Sequence, residues 1–292
     1  MNLKEIILEA RAKNVAIGHF NVSDIAGLKA VFNIAREMDL PVMIGVSEGE
    51  RDFIGVGQIA VLVKSLREEY NFPIFLNADH THSIEKIKEA LEAGFDEVLF
   101  DAGKESFEQN IALTKEVVNM VREFNAVRGT NVLVEGELGY IGGGSVILNR
   151  IPEGVSIKSE DLTKPEEAKR FVEETGVDLL APAVGNIHGM FEHVSDPNLD
   201  INRVAMIYQA VGIPLVLHGA SGNTAIDIQQ SIDAGVGVVH INTEIRAAWK
   251  RGIDMAMLSR PKEITPYKIL PEAIHEMEKV IREKMKIFNK IS

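Results

Sequence analysis

Residues 214–224 read PLVLHGASGNT and show the pattern from which we infer the fold. Its first four residues are continuously apolar, as a strand covered on both faces requires, whereas the residues of a half-exposed strand would alternate. His218 ends the apolar run, and small residues then lead into a segment with helical periodicity. This order is typical of the strand, loop and helix that make one unit of a parallel α/β barrel.

The same order recurs along the chain. Eight apolar runs are candidate strands, at 15–20, 41–46, 73–77, 96–100, 131–137, 178–183, 214–218 and 237–242. Helical segments between them include 24–38, 83–93, 107–124, 165–174 and 224–234, several with Ser, Thr or Asp at the start and Gly at the end. The pattern predicts an α/β fold, a (β/α)8 TIM barrel with an additional C-terminal helix at 272–289. A doubly wound open sheet is the alternative.

Length and composition limit the class of protein. Barrels of 292 residues are commonly one domain, and no linker divides the chain, so residues 1–292 are predicted to form a single TIM-barrel domain. The net charge of −12, with no run rich in Lys or Arg, argues against nucleic acid or an anionic membrane as a partner. The absence of cysteine leaves His and carboxylates as metal ligands and favours a cytoplasmic protein.

Polar residues collect where the apolar runs end. His80, His188 and His218 follow three different candidate strands, and the carboxyl ends of barrel strands share one rim. Three imidazoles with a free fourth position suit catalytic zinc. The sequence therefore predicts a divalent metal site on this rim, although each histidine taken alone is more often a hydrogen-bonded strand-end residue.

Carboxylates lie beside these histidines in the sequence. Asp79 precedes His80, so it can face the same cavity and relay a proton to a substrate hydroxyl; alternatively it caps a helix or orients a ligand. Asp101 and Glu137 are candidates for a second or alternative metal position, or for ion pairs with Lys or Arg. The small residues of HGASGNT, with Gly189 after His188, offer backbone N–H groups to a phosphate.

Taken together, the motifs AIGHFNV, NADH, VLFDAG, VEGELGYIGG, GNIHG, HGASG and INTEIRAAW resemble the class II, metal-dependent fructose-bisphosphate and tagatose-bisphosphate aldolases over most of the chain. The resemblance implies cleavage of a ketose 1,6-bisphosphate to two triose phosphates, in a homodimer or larger homo-oligomer. It implies Zn²⁺ or another divalent metal, and a monovalent cation near the phosphate.

The resemblance also assigns roles to residues. It makes His80, His188 and His218 the metal ligands, with Glu137 and Asp101 close by, and Asp79 the acid/base at the C4 hydroxyl. Substrate and phosphate contacts are implied at the following positions: Ser47, Gly189, Gly219, Ser221, His240, Asn242 and Thr243.

Two departures from the family pattern put the substrate in doubt. Gly144 and Ser145 stand where many members have a proton-transferring Glu, and Glu153 is a weak candidate for that role. His240 stands where the family usually has a substrate-contacting Asn. A sugar-phosphate isomerase or epimerase, or a phosphosugar-binding protein without activity, therefore remain alternatives to an aldolase.

Overall fold

The computed structural model describes residues 2–142, 144, 147–148, 161–191 and 197–291. Within them, eight parallel strands close into a barrel in the order β1-β10-β9-β7-β5-β4-β3-β2. The barrel strands are β1 (Ile17–Asn21), β2 (Val42–Val46), β3 (Ile74–Thr81), β4 (Glu97–Phe100), β5 (Leu133–Leu138), β7 (Leu179–Pro182), β9 (Leu215–Leu217) and β10 (Val236–Ile241). All eight predicted strands are present, so the TIM barrel is confirmed and the doubly wound alternative is wrong.

Helices surround the barrel. Among the described residues they are α1 (Leu3–Ala12), α2 (Ile25–Met38), α3 (Glu48–Ile54), α4 (Val56–Tyr70), α5 (Ile84–Ala93), α6 (Phe107–Arg128), α7 (Pro165–Thr175), α8 (Ile201–Val211), α9 (Ala225–Ala234), α10 (Thr243–Ser259) and α11 (Pro266–Asn289). None of them is long and apolar enough to cross a membrane.

The predicted signals at helix ends are present. Side chains of Ser83 and Thr224 accept hydrogen bonds from backbone N–H groups in the first turns of α5 and α9. Such caps each contribute about 1 kcal/mol. Gly94 and Gly176 end α5 and α7 in the left-handed conformation, which glycine adopts without steric cost. The caps fix where each helix begins and ends, and therefore how long each connecting loop is.

The barrel interior changes character from one end to the other. At the amino ends of the strands, Leu3 and Ile7 of α1 pack with Ile17, Met43 and Phe75 in an apolar cluster. Helix α1 therefore closes this end. Toward the carboxyl ends the interior is polar: Asp79, His218 and His240 are buried there, and His19, Asn77, Glu97 and Glu135 are buried within the strands. Burying so many polar groups is costly unless they are paired, which marks this end as the functional one.

The additional C-terminal helix is confirmed but starts earlier than predicted. The predicted start is at 272, whereas α11 begins at Pro266 and contains Pro271. Helix α11 packs against α2 and α10, and a Cβ on Gly252 of α10 would lie 2.4 Å from the Cα of Ala273. Close helix packing therefore holds the first turns of α11 in place.

The long connection predicted at 139–163 lies largely outside the described residues, as do Ser145 and Glu153. Its described part includes β6 (Ile147–Leu148), which pairs in parallel with β8 (Met190–Phe191). The connection therefore reaches the segment that follows His188.

Candidate active site

A bulge in β3 brings Asp79 and His80 to the same cavity. In a regular strand neighbouring side chains point to opposite faces. Here Ala78 pairs with Val98 and Thr81 with Phe100, so β3 carries one extra residue, and His80 has a φ of 39°. Such a left-handed backbone is uncommon outside glycine and is a feature of strained functional positions.

A buried arginine holds this bulge. Arg51 of α3 is 1% exposed and donates to the carbonyl oxygens of Val46 and Asp79, at 2.6 and 3.2 Å, and to the hydroxyl of Thr81 at 2.9 Å. Its guanidinium donates to a backbone carbonyl and a hydroxyl within the bulge and ties both to the end of β2. The irregular backbone is therefore built into the fold.

The three predicted histidines converge. Ring centroids lie 4.7 Å apart for His80 and His188, 5.0 Å for His80 and His218, and 5.6 Å for His188 and His218. With Glu137 they form a group whose ligating atoms all lie within 4.8 Å of one another. The convergence predicted from strand-end positions is therefore present in the structure.

The unpartnered atoms of these residues fit a metal. Nε2 of His80, Nε2 of His188, Nδ1 of His218 and Oε2 of Glu137 are buried and receive no hydrogen bond among the described residues. Three ring nitrogens and a carboxylate oxygen are the donors that zinc prefers. Leaving them without a partner would cost free energy, so the donor set is suited to a cation.

Carboxylates set the orientation of two of the rings. Oδ2 of Asp101 lies 2.8 Å from Nδ1 of His80, and Oε1 of Glu135 lies 2.8 Å from Nε2 of His218. Each bond occupies one ring nitrogen and leaves the other free, which is how such carboxylates fix the tautomer of a metal ligand. Asp101 contacts the ring on its Nδ1 side, and its role as a direct ligand stays a prediction.

Burial and charge set the protonation of the cluster. Burial, and then the nearby His80, lower the pKa of His218 to about 3 and that of His188 well below its ordinary value. These two imidazoles are therefore neutral, the form that binds metals. Burial also acts to lower the pKa of His80, but Asp79, Asp101 and Glu137 outweigh it and raise the pKa to about 10. In the metal-free protein His80 thus carries the proton that a cation would displace.

Asp79 is a buried, ionised acceptor. Its Oδ2 accepts a hydrogen bond of 2.8 Å from Nδ2 of Asn21, and its Oδ1 has no donor among the described residues. Burial acts to raise the pKa of Asp79, but the imidazoles of His80 and His240 outweigh it and hold the pKa well below its ordinary range. One oxygen of a charged carboxylate is therefore available beside the histidines.

A glycine allows two loops to meet behind the histidines. Gly219 has a φ of 59°, and a Cβ there would lie 2.4 Å from the carbonyl oxygen of Ile187. Any other residue would push apart the loops that carry His188 and His218. Gly189 has a φ of 111°, so the chain also turns directly after His188.

The remaining predicted contacts surround a cavity of about 290 Å³ that also contains the histidines. Ser221, Asn242 and Thr243 lie on one side, where α10 begins, and the Oδ1 of Asn242 has no hydrogen-bond donor among the described residues. Backbone N–H groups at a helix start favour an anion. The cavity is lined by these predicted site residues: Ser47, Asp79, His80, Asp101, His188, Gly189, His218, Gly219, Ser221, His240, Asn242 and Thr243. Glu137 joins the site through the metal-binding group described above.

Sequence reasoning missed several buried partners. Glu50 is 5% exposed and accepts hydrogen bonds from Asn21 and from both the backbone and the hydroxyl of Ser47. Arg246 donates to the other oxygen of Glu50 at 2.7 Å and also lines the cavity. Asn21 lies in the motif AIGHFNV and Arg246 in INTEIRAAW, and these positions were the sequence signal that could have placed them in the site. Glu135 had the same signal from its place in VEGELGYIGG, whereas Glu97 had none, because only its burial makes its charge important.

The carboxyl groups of Glu97 and Glu135 form a buried acidic pair. Both side chains are completely buried, and no donor group among the described residues reaches either oxygen of Glu97 or Oε2 of Glu135. Burial first, and then repulsion from Glu135, raise the pKa of Glu97 well above its ordinary value. The pair therefore holds a proton, which lets Glu97 donate to Glu135 while Glu135 accepts from His218.

Replacing Glu97 by Gln is expected to flatten the pH dependence of stability. Because its folded pKa is raised, the stability that neutral Glu97 contributes is complete below its unfolded pKa and is lost as pH rises through its folded pKa. The free energy of unfolding of the metal-free protein should fall as pH rises above the ordinary pKa of a glutamate, and less steeply in Glu97→Gln. Urea unfolding across this range measures it, with Glu116→Gln at an exposed position as the control. If the free energy of unfolding changes equally with pH in the wild type, Glu97→Gln and Glu116→Gln, the buried pair is excluded as the cause of the pH dependence.

Comparisons with known proteins agree with this geometry. The family model for "Fructose-bisphosphate aldolase class-II" matches residues 1–292. The chain belongs to the class II fructose-bisphosphate aldolase family. It is 34% identical to a probable fructose-bisphosphate aldolase of Bacillus subtilis, over 99% of this chain and 97% of that protein. It is 33% identical to a fructose-bisphosphate aldolase of Staphylococcus aureus, over 99% and 96%.

Solved structures of aldolases share the fold. The YdjI aldolase from Escherichia coli K12 superposes with a TM-score of 0.79 at 30% identity, over 98% of this chain and 96% of that one. A putative fructose-1,6-bisphosphate aldolase from Coccidioides immitis has a TM-score of 0.81 at 27% identity, over 100% and 97%. The resemblance seen in the motifs is confirmed, and the chain is a class II aldolase, a carbon–carbon lyase.

Proposed function

We propose that this class II aldolase cleaves a ketose 1,6-bisphosphate, with fructose 1,6-bisphosphate ahead of tagatose 1,6-bisphosphate, to dihydroxyacetone phosphate and glyceraldehyde 3-phosphate. One observation carries the proposal: three unpartnered ring nitrogens lie in one cavity with the unpartnered oxygen of Asp79. The relatives named for fructose-bisphosphate cleavage support the choice of sugar.

The residues present would hold a divalent metal, with His80, His188 and His218 as ligands and Glu137 as an additional or alternative one. Zinc is our choice because imidazole and carboxylate donors suit it. A metal bound there supplies Lewis-acid stabilisation of the charge that develops on the ketone oxygen. A monovalent cation near the phosphate stays a prediction from the family resemblance.

The side chains account for the first proton transfer. Oδ1 of Asp79 would accept the proton of the C4 hydroxyl, the C3–C4 bond would break, and its electron pair would move toward the C2 carbonyl. Asn21 orients the carboxylate through its other oxygen. Gly189, Gly219, Ser221 and Thr243 would bind the C1 phosphate at the start of α10. The group that returns a proton to C3 is unassigned, because Glu153 lies outside the described residues.

An assay of triose phosphate release tests the proposal. Fructose and tagatose 1,6-bisphosphates are offered to the protein before chelation, after chelation, and after addition of zinc or cobalt. We expect chelation to abolish release and the added metal to restore it. Full activity in protein that mass spectrometry shows to be metal-free would contradict the metal's role. A new sugar phosphate without trioses would indicate the isomerase or epimerase, and binding without turnover would indicate the phosphosugar-binding protein.

Three further properties stay proposals. Residues 1–292 form one domain in our interpretation, which the match of the family model over the same residues supports. A homodimer or larger assembly is expected from the family resemblance, and light scattering would measure it. A cytoplasmic location stays a prediction, as does the view that neither nucleic acid nor membrane is a partner.

A further inference from the structure

Two histidines outside the metal group form a stacked pair. The rings of His19 on β1 and His240 on β10 have centroids 3.4 Å apart and an interplanar angle of 4°. They are 0% and 5% exposed. The residues occupy paired positions on adjacent strands, so the barrel itself brings the rings together.

The surroundings of His19 hold the pair in place. Its Nε2 lies 3.3 Å from Oδ1 of Asn77 on β3. Strand β2 lies between β1 and β3 in the barrel. A Cβ on Gly45 of β2 would lie 2.0 Å from Cε1 of His19, so the ring occupies the space that a side chain at position 45 would need. Asn77 and Gly45 therefore fix the ring of His19, which cannot reach a ligand in the cavity.

A second metal does not explain the pair. His19, Asp79 and His240 offer ligating atoms within 4.8 Å of one another. An imidazole, however, binds a metal through a lone pair that lies in the plane of its ring. Two parallel rings 3.4 Å apart cannot both have one cation in their planes. The stack is therefore suited to orienting a ring and not to sharing an ion.

His240 presents its ring to the cavity beside Asp79. Its Nδ1 lies 3.6 Å from Oδ1 of Asp79, and neither of its ring nitrogens has a hydrogen-bond partner among the described residues. An imidazole carries at least one N–H donor in either protonation state, so His240 can donate a hydrogen bond into the cavity. A hydroxyl that donates to Asp79 could therefore accept from His240 at the same time.

We propose that His240, held by His19, selects the configuration at C4 of the sugar by fixing the direction of the hydroxyl that Asp79 deprotonates. This inference rests on the proposed function. Two contacts to one hydroxyl define its direction, whereas a carboxylate alone leaves the hydroxyl free to rotate around it. The C4 epimer would leave two buried polar groups unpaired, and sites built to bind a hydroxyl reject such ligands strongly. His240 contacts the substrate, and His19 is a positioning residue that acts through it.

The test compares two sugars that differ only at C4. The ratio of kcat/KM for fructose and tagatose 1,6-bisphosphates is measured in the wild type, His240→Ala, His19→Ala and Gly45→Ala. We expect His240→Ala to reduce the preference about tenfold, the equivalent of one lost hydrogen bond to the substrate hydroxyl. His19→Ala and Gly45→Ala should reduce it in the same direction by less. The ratio of C4 epimers formed in the reverse condensation, read by NMR, should change in parallel.

Controls separate selection from damage to the fold. His275→Ala, at an exposed position of α11, should leave the preference unchanged. His19→Gln, whose flat amide can stack on His240 and reach Asn77, should recover part of the preference lost in His19→Ala. Bound metal and the unfolding midpoint are measured for every variant. If Gly45→Ala does not fold, His19→Ala and His19→Gln are compared with the wild type without it.

A preference within twofold of wild type in His240→Ala would overturn the inference, and so would a wild type that cleaves both epimers equally well. A wild type that cleaves neither sugar would instead overturn the proposed function. The two failures are therefore distinguishable.

Discussion

His218→Ala is expected to lower kcat/KM for ketose bisphosphate cleavage by about 10³-fold. The substitution removes a proposed metal ligand, and a bound metal contributes several kcal/mol of transition-state stabilisation. The substitution removes Nδ1, one of three converging ring nitrogens, and leaves Oε1 of Glu135 without its partner. Metal content measured by mass spectrometry should fall with the activity. The ring at position 218 contacts the imidazoles of His80, His188 and His240, so circular dichroism is needed to verify the fold.

The control is His275→Ala. It removes an exposed imidazole of α11 that does not line the cavity. It should keep both metal and activity. A His218→Ala protein that binds a full equivalent of metal and cleaves at the wild-type rate would remove the histidine cluster from the proposed mechanism.

Asp79→Ala is expected to reduce kcat by about 10² to 10⁴-fold, the usual contribution of a general acid or base. The metal ligands are unchanged, so metal content should stay near that of the wild type. Asn21 keeps its hydrogen bond to Glu50, which limits the disturbance around the missing carboxylate. The effect should appear mainly in kcat, because the residues that we propose as phosphate contacts lie elsewhere in the cavity.

Asp254→Ala is the matched control, since Asp254 lies on α10 and pairs with the exposed Lys250. It should turn over at the wild-type rate. An Asp79→Ala variant with full turnover would show that another group accepts the C4 proton.

The fold could be predicted from the sequence because its signals are local. Continuous apolar runs such as PVMIGV at 41–46 indicate strands covered on both faces, and glycines such as Gly94 indicate helix ends. The start of α11 was predicted wrongly because packing against α10 stabilises the helix around Pro271. Periodicity carries no information about such packing.

The metal-binding group could be predicted because barrel topology brings strand ends to one rim, whatever their separation in sequence. Other parts of the site depend on geometry that no residue type reveals. The bulge that turns Asp79 and His80 the same way involves a backbone angle, not a motif. Likewise, the sequence shows Glu97 as one more charged residue, and the barrel makes it a buried neighbour of Glu135.

The extra residue in β3 has a consequence for protein engineering. A designer who moves Asp79 and His80, the proposed proton acceptor and metal ligand, onto another eight-stranded scaffold by exchanging side chains alone would place them on opposite sides of the strand. The bulge in β3 and the side chain of Arg51 would have to be transferred together. Directed evolution on this scaffold should therefore spare Arg51, although it lies outside the reaction chamber.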